Sequence, residues 1–311
     1  MTGYLTTYDN ETWRLPVLLS WDVSHGLGEP CDAFEVSFLF KYDMLRMLYG
    51  AVRFRGEYGG KTVFFGVVDE YEITADESGL LAVVRGRSLE ALLLDNECEA
   101  VEYAGAGLDF ILQRHVYPWG IKNVKTGKMP ALPSFTVRSG ESQWGVLREF
   151  CWFSAGIEPR FSRDGVLIMN GEAGESLTIG QSTPVSSAAY RDNRYGVISQ
   201  VVLKNKSRGT LGSVVNSPYA DRGASCRRVV SIPRKMSYDA ARYTGRYQIA
   251  RSARGKRVCE LTLPELFAAF AGDTAALDYK PFGLFGKYRV YASRCWADKD
   301  SAGTVLTLEE V

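Results

Sequence analysis

Two histidines are all the imidazole this chain has for acid–base or metal chemistry, His25 and His115. In "GLDFILQRHVYPWG" (107–120), His115 follows Leu108, Ile111 and Leu112 at helical spacing. That places it on the apolar stripe of a helix, where a hydrogen-bonded core histidine is expected rather than a ligand. His25 lies in the Gly-rich stretch "SHGLGEP", with no second metal-type residue at a useful spacing. The six cysteines (31, 98, 151, 226, 259 and 295) stand far apart without a CxxC pair. They are too sparse for a disulfide scaffold and wrongly spaced for zinc, so reduced, buried thiols are expected. Cys151 falls on the core side of its own helix, which argues against a Cys–His nucleophile built with His115.

Carboxylates offer more. Asp69, Glu70 and Glu72 fall in one strand-like run, and Glu141 and Glu149 flank a helix. A glycosidase needs two carboxyls about 5–10 Å apart across a sugar cleft. Acids alternating along a strand read instead as a solvated face. "GLGEP", "GEAGES" and "SRGTLGS" are Gly-rich but lack the phosphate-loop form and the strand–GxGxxG–helix setting, so they read as loops. No catalytic residue, metal ligand or cofactor is assigned.

The remaining chemistry is electrostatic. The formal net charge is only +1, but it is unevenly spread. Residues 1–100 hold 17 acidic and 8 basic side chains (−9), residues 101–190 hold 8 of each, and residues 191–311 hold 11 acidic and 21 basic (+10). The basic runs "KNKSRG", "CRRVV", "IPRKM" and "RSARGKR" interleave with Tyr195, Tyr243 and Tyr247, as in a single-strand nucleic-acid binder, yet no recognition motif frames them. The first and last thirds are instead expected to meet, within one chain or between copies. Asp69, Glu70 and Glu72 on one side, and Arg227 and Arg228 on the other, are the candidate inter-subunit residues.

The elements that would carry these groups are mostly strands. With 31 Gly, 17 Tyr and no apolar window long enough to span a bilayer, the composition is that of a β-rich globular protein. The N-terminus lacks the basic start and apolar core of a signal peptide. "AFEVSFLF" (33–40) alternates at period two, and "AVRFRGEYGGKTVFFGVVDEYEIT" (51–74) predicts a hairpin turning at Gly59–Gly60, followed by a return strand over 80–87. After it, Ser88 is placed to cap a short apolar helix whose Leu89, Leu92 and Leu93 would plug the open end of a barrel. Helices are predicted over 107–120, stopped by Pro118 and Gly120, and over 139–156, with Ser139 or Ser142 as N-cap and Gly156 ending it. A hairpin at Asp164–Gly165 follows. Strands resume at 196–205, 226–233 and 256–264, with a helix over 237–255 between them. The hairpins at 66–84 and 286–308 share a glycine, a tyrosine-bearing strand, an acidic turn and an apolar return strand, a weak internal repeat.

The stretch "FFGVVDEYEITADESGLLAVVRGRSLEALLLDNECEAVEYAGAGLDFILQRHVYPWGI" resembles the barrel-to-helix passage of phage tail hub proteins, the late-control-D-like baseplate hubs of contractile tails, prophages and phage-tail-like bacteriocins. Its marks are the "GVVD" strand entry, the "VRGRS" strand end and the "LLDN" corner. "WGVLREFCWFSAGIEPRFSRDGVLIM" is similar to the family's middle helix and hairpin, and "FGKYRVYASRCWADKDSAGTVLTLEEV" to its closing hairpin.

The resemblance implies a mainly β fold: two tube-type antiparallel β-barrels (residues 1–100 and 191–311, the second with the helical insertion) flanking a small α+β domain (101–190). It implies a structural, non-enzymatic homotrimer that joins the sixfold tail tube, or a distal tube protein, to the threefold central spike. Other baseplate proteins would surround it, in a virion or phage-tail-like particle assembled in the bacterial cytoplasm. No membrane and no specific nucleic acid is implied as a partner. The chain ends soon after the last hairpin, so no fused lysozyme, peptidase or fibre is expected. A tail-associated peptidoglycan-degrading enzyme and a nucleic-acid-contacting protein are the alternatives.

Overall fold

The computed structural model describes residues 1–28, 31–77, 79–205, 209–232 and 238–310. The basic runs at 206–208 and 233–237, part of the "GLGEP" loop (29–30) and part of the "ADESG" turn (78) lie outside the described residues.

The first third forms strands β1 (Thr2–Thr7), β2 (Thr12–Arg14), β3 (Leu18–Gly26) and β4 (Ala33–Leu39), then helix α1 (Leu45–Gly50). Strands β5 (Ala51–Tyr58), β6 (Lys61–Asp76) and β7 (Gly79–Ser88) and helix α2 (Ala91–Leu94) follow. Alternation decides which face is buried: Phe34, Val36 and Phe38 of β4 pack with Leu5, Phe54, Phe64 and Val84 in one core. The β5–β6 turn uses Gly59 and Gly60 at φ 57° and 76°, the positive values a two-residue hairpin loop requires.

The middle of the chain holds β8 (Val101–Ala106), α3 (Leu108–His115), β9 (Val124–Thr126), β10 (Leu132–Val137), α4 (Gln143–Ala155), β11 (Arg160–Phe161) and β12 (Leu167–Met169). The Ser142 hydroxyl accepts from the Gly145 N–H and caps α4, and Gly156 ends it at φ 67°. A core of α3, α4, β8 and β10 residues also takes in Leu89 just before α2, Leu93 within it, and Val67 of β6. This corrects two expectations. The apolar corner after β7 joins the middle core, against α4, rather than plugging a barrel. Ser88 does not cap it either. As the last residue of β7, Ser88 accepts from the Asp32 N–H and donates to the Glu90 carboxylate.

The last part comprises β13 (Ser176–Ile179), β14 (Ser187–Asp192), β15 (Gln200–Asn205), β16 (Gly209–Val215), α5 (Ser217–Ala220), β17 (Arg227–Ile232) and α6 (Tyr238–Ala253). It closes with β18 (Arg257–Leu263), β19 (Thr274–Tyr279), β20 (Leu284–Ala297) and β21 (Ala302–Glu310). Strands β15, β16 and β17 make a separate three-stranded sheet, with β15 and β17 parallel, and α6 packs on it and on α4.

The two ends of the chain share one 13-stranded sheet, in the order β14-β18-β21-β20-β3-β4-β7-β6-β5-β1-β2, with β19 and β13 attached beside β20. The join is antiparallel pairing of β3 with the second half of β20, Trp21 to Gly26 against Ala292 to Ala297. Asp22 and Arg294 form an ion pair across it. The strand path is open at β14 and β2, so neither half closes on itself by hydrogen bonds. The two hairpins of the weak repeat, β6–β7 and β20–β21, each carry a one-residue register shift near their start, at Asp69 and Tyr291. Among the described residues no helix is long and apolar enough to cross a membrane.

Candidate interaction surfaces

Both histidines are buried. His115 Nδ1 lies 2.8 Å from Gln143 Oε1 and Nε2 3.1 Å from the Tyr103 hydroxyl, the satisfied core histidine expected of its stripe. Burial, chiefly, lowers its pKa. The nearest thiol is Cys98, at 3.8 Å, whereas Cys151 is fully buried with its thiol pushed up to about 12 by desolvation. A nucleophile needs the opposite shift. All six cysteines are free.

His25 is not in a loop but at the end of β3. Its Nε2 donates to the Val63 carbonyl (3.1 Å) and its Nδ1 lies 2.8 Å from Asp32 Oδ2. A carbonyl only accepts, so the imidazole and carboxylate form an ion pair or share one proton. Asp32 also accepts from the Gly26 N–H, at 2.9 Å. Glu90, close by, is pushed up to about 8 by burial and by the Asp32 carboxylate. Among the described residues no group of three or more His, Cys, Asp or Glu is placed to hold a metal ion.

The acidic trio sits on β6 opposite two arginines of β7. Arg87 binds Asp69 and Asp95, each at 2.7 Å, and Arg85 binds Glu35 at 2.7 Å and Glu72 at 3.1 Å, with Glu70 at 3.8 Å. Five carboxylates share two guanidinium groups, so the face stays negative. Arg227 and Arg228 stand exposed on β17, an edge of the separate small sheet, without an ion pair among the described residues. Within one chain, the acidic trio and this basic pair are not brought together. The tyrosines of the basic third do not form one stacking platform either: Tyr247 is buried against Trp152, while Tyr195 is exposed. The carboxyls of Glu141 and Glu149 do adjoin, and burial together with Glu141 raises Glu149 to about 7. Neither lines the large cleft described next.

That cleft, of about 860 Å³, lies where α4, α6, the 156–161 loop and the β19–β20 region meet. Six cationic side chains line it: Arg148, Arg160, Arg251, Arg254, Lys287 and Arg289. Arg254 pairs with Glu158 and Arg289 with Glu309. Arg160 is largely desolvated, which lowers its pKa, and donates to the Glu172 carbonyl at 3.2 Å. Arg148, Arg251 and Lys287 have no ion pair among the described residues. These cations come from distant segments, so no local sequence motif marks them. The only local signal is the close spacing of Arg251, in the last turn of α6, and Arg254, just past its end, in "RSARG".

A second surface is apolar. The start of β3, the end of β4, α1, the start of β5 and the end of β1 meet at one end of the sheet, because Leu18 pairs with Phe38 and Thr7 with Ala51. That end exposes Val17 (86 %), Tyr49 (80 %), Tyr42 (79 %) and Tyr8 (71 %), with Leu39 and Leu45 beside them. Large side chains this bare, gathered at one end of the sheet, make that end a candidate contact surface.

No protein-family model and no curated protein sequence matches the chain. Solved structures do. A tail protein from Neisseria meningitidis MC58 superposes with a TM-score of 0.74 at 17 % identity, over 99 % of this chain and 96 % of its own. The 43 kDa tail protein of prophage MuSo2 from Shewanella oneidensis gives 0.74 at 18 %, over 99 % and 97 %. The E. coli c3393 protein is a type VI secretion component described as similar to T4 tail proteins gp27 and gp5. It gives 0.58 at 12 %, over 94 % of this chain and 73 % of that one. An open 13-stranded sheet carrying a helical middle section is therefore no private arrangement: from end to end this chain has the fold of the bacterial and prophage tail proteins.

Proposed function

We propose that the protein is a structural baseplate hub of a contractile phage tail or phage-tail-like particle. As a homotrimer it joins the sixfold tail tube to the threefold central spike. The observation that carries this reading is the match to tail proteins along practically the whole chain. The division into two tube-type barrel domains (1–100 and 191–311) and an α+β middle (101–190) belongs to the same reading, as does assembly in the bacterial cytoplasm.

Two features of the molecule support an assembly role. The apolar end near α1 exposes Tyr8, Val17, Tyr42 and Tyr49, large side chains of the kind that a protein–protein contact covers. The thiols of Cys31, Cys98, Cys151, Cys259 and Cys295 are raised by burial rather than activated as a nucleophile requires. In a ring in which first and second barrels alternate, the negative β6–β7 face and the basic last third would face each other between copies. Opposite charge then selects the correct neighbours.

Light scattering across a concentration series tests the stoichiometry, with a trimer expected. A protein that stays monomeric both alone and when mixed with its tube and spike neighbours overturns the hub reading. Clearing of cell-wall material by the purified protein would instead favour the enzymatic alternative.

A further inference from the structure

We propose that copies of this chain join through a strand-to-strand seam, in which β14 of one copy pairs antiparallel with residues 70–75 of β6 in the next. The inference rests on the self-association proposed above and names the surfaces that make it.

The two halves of the large sheet repeat one another strand for strand. The first runs β3-β4-β7-β6-β5 and the second β14-β18-β21-β20-β19, with every neighbouring pair antiparallel. The match extends to single residues. The register shift at Asp69 of β6 corresponds to that at Tyr291 of β20, which aligns Val67 with Arg289. These are the residues where pairing with β5 and with β19 stops, opposite Arg53 and Thr274. Beyond Arg289 the freed side of β20 is taken by β3, with Ala292 to Ala297 against Gly26 to Trp21. Beyond Val67 the same side of β6 has no partner strand among the described residues. The counterpart of β3 is β14, an end strand of the sheet and exposed along most of its length. One chain thus makes one junction of the repeat and leaves both strands of the other unpaired.

Transferring the register of the β3–β20 seam gives the contact its detail. Cys295 opposite Val23 becomes Ile73 opposite Tyr190, and Arg294 opposite Ser24 becomes Glu72 opposite Arg191. Both pairings suit. Ile73 lies partly buried at the rim of the first core and Tyr190 is 42 % exposed, so each gains cover. Arg191 is exposed, without an ion pair among the described residues, and it meets Glu72 directly and Glu70 diagonally. Two β6 edges, in contrast, would set acid against acid.

The backbone agrees in phase. Leu27 N–H donates to the Tyr291 carbonyl (2.9 Å), so by alternation Val23 turns its peptide groups towards β20. Asn193 N–H donates to the Lys256 carbonyl (2.6 Å), so Ala188 and Tyr190 turn theirs away from β18. Such outward N–H and C=O groups on an exposed edge template another strand. The connectors match as well. Leu266, between β18 and β19, packs across the seam on the first core. The counterpart segment between β4 and β5 leaves Tyr42 and Leu45 exposed, and in the new seam they face the second half of the neighbour. Each chain offers one edge of each kind, so the contact is head-to-tail, the kind that closes into a ring.

The test is disulfide trapping in the full-length protein. Opposite residues of a non-hydrogen-bonded antiparallel pair have Cα atoms about 4.5 Å apart, within reach of a disulfide. Glu72→Cys and Arg191→Cys in separate chains, mixed and oxidised gently, should give a covalent dimer that neither gives alone. Both in one chain should give a covalently closed trimer, and Glu70→Cys with Ala189→Cys, four residues out of register, should not. Ala188→Pro removes an outward N–H and no bond of its own sheet, so it should weaken self-association about tenfold without changing the thermal melt of the dissociated chain. Equal trapping by the two cysteine pairs, or none in a protein that does trimerise, overturns the seam and leaves the hub reading standing. Cross-linked open chains longer than a trimer uphold the seam and overturn the trimer. A protein that stays monomeric even with its tube and spike neighbours overturns both.

Discussion

Glu90 is a carboxyl placed where its charged form is disfavoured. It is pressed by burial and by Asp32, and held by Ser88 Oγ and, more loosely, by the Phe161 N–H. A folded-state pKa raised from 4.5 to about 8 means that the fold prefers the protonated acid. Its contribution to stability is therefore fully present below about 4.5 and is lost as pH rises through 8. Each tenfold change in that proton affinity is worth about 1.4 kcal/mol, so the loss is a matter of a few kcal/mol. Glu149, raised to about 7, acts in the same direction. Glu90→Gln keeps the shape and removes the titration. Urea unfolding of this variant should show little change at pH 5, a gain over wild type at pH 8.5, and a flatter profile between. Equal stability of the two proteins at pH 8.5 would mean that Glu90 is charged and well paired in the fold. His115 works oppositely: lowered by burial, it favours stability above about 6.5 and costs stability as the medium becomes acidic.

At the scale of elements, the β6–β7 hairpin depends on two glycines where strands approach closely. A Cβ at Gly86 would run into the Val67 carbonyl oxygen and the Phe34 ring, and one at Gly66 into the Arg87 carbonyl oxygen. The two contacts are reciprocal across one ladder and both lie just before the register shift at Asp69. Neither backbone carbonyl can move without breaking strand pairing. Gly86→Ala should therefore destabilise by at least about 3 kcal/mol, the range of severe overpacking. Gly180→Ala, where a Cβ would meet nothing, is the control and should be near neutral. Denaturant titration compares them, and similar midpoints would show that the hairpin relaxes around the added methyl. The glycine of "VRGRS" is thus a packing requirement of the sheet, because the Phe34 ring lies over it.

At the scale of the molecule, the β3–β20 seam decides what folds alone. Residues 1–96 cut from the rest leave six residues of β3 without their ladder and expose Leu89, Leu93 and Val67, which belong to the middle core. An unpaired edge beside bare apolar surface aggregates. Such a fragment should be insoluble or melt without cooperativity in calorimetry, and a soluble monomer with a sharp transition would make the first sheet self-contained. Charge acts at the same scale. Glu70 is the least engaged of the β6 acids, 3.8 Å from Arg85, so Glu70→Lys changes the field while leaving the closer Arg85–Glu35, Arg85–Glu72 and Arg87–Asp69 pairs in place. Combined with it or alone, Arg227→Glu with Arg228→Glu should slow assembly at low salt. The gap should close near 1 M salt, where screening falls to about 3 Å. Unchanged rates at both salts would place these faces towards solvent or another protein.

Short-range features were legible from the sequence alone. The Ser142 cap, the Gly156 end of α4, the glycine pair at 59–60, the turn at Gly165 and the buried stripe of α3 all depend on residues a few positions apart, and all are present. The tertiary structure alone decided the rest. The β3–β20 seam pairs residues such as Asp22 and Arg294 across nearly the whole chain, through backbone groups that are the same in every residue. Leu89 and Leu93 had to be buried, but whether against a barrel or against α4 depended on what else arrived there. Ser88 and His25 had several local roles open to them, and Asp32 and Glu90 selected among these by occupying their hydrogen-bonding atoms. The cationic cleft exists only because α4, α6 and β20 converge, and isolated arginines in a sequence carry no mark of convergence. Local propensity sets what each segment becomes, while the face it turns inward is set by neighbours that the segment does not encode.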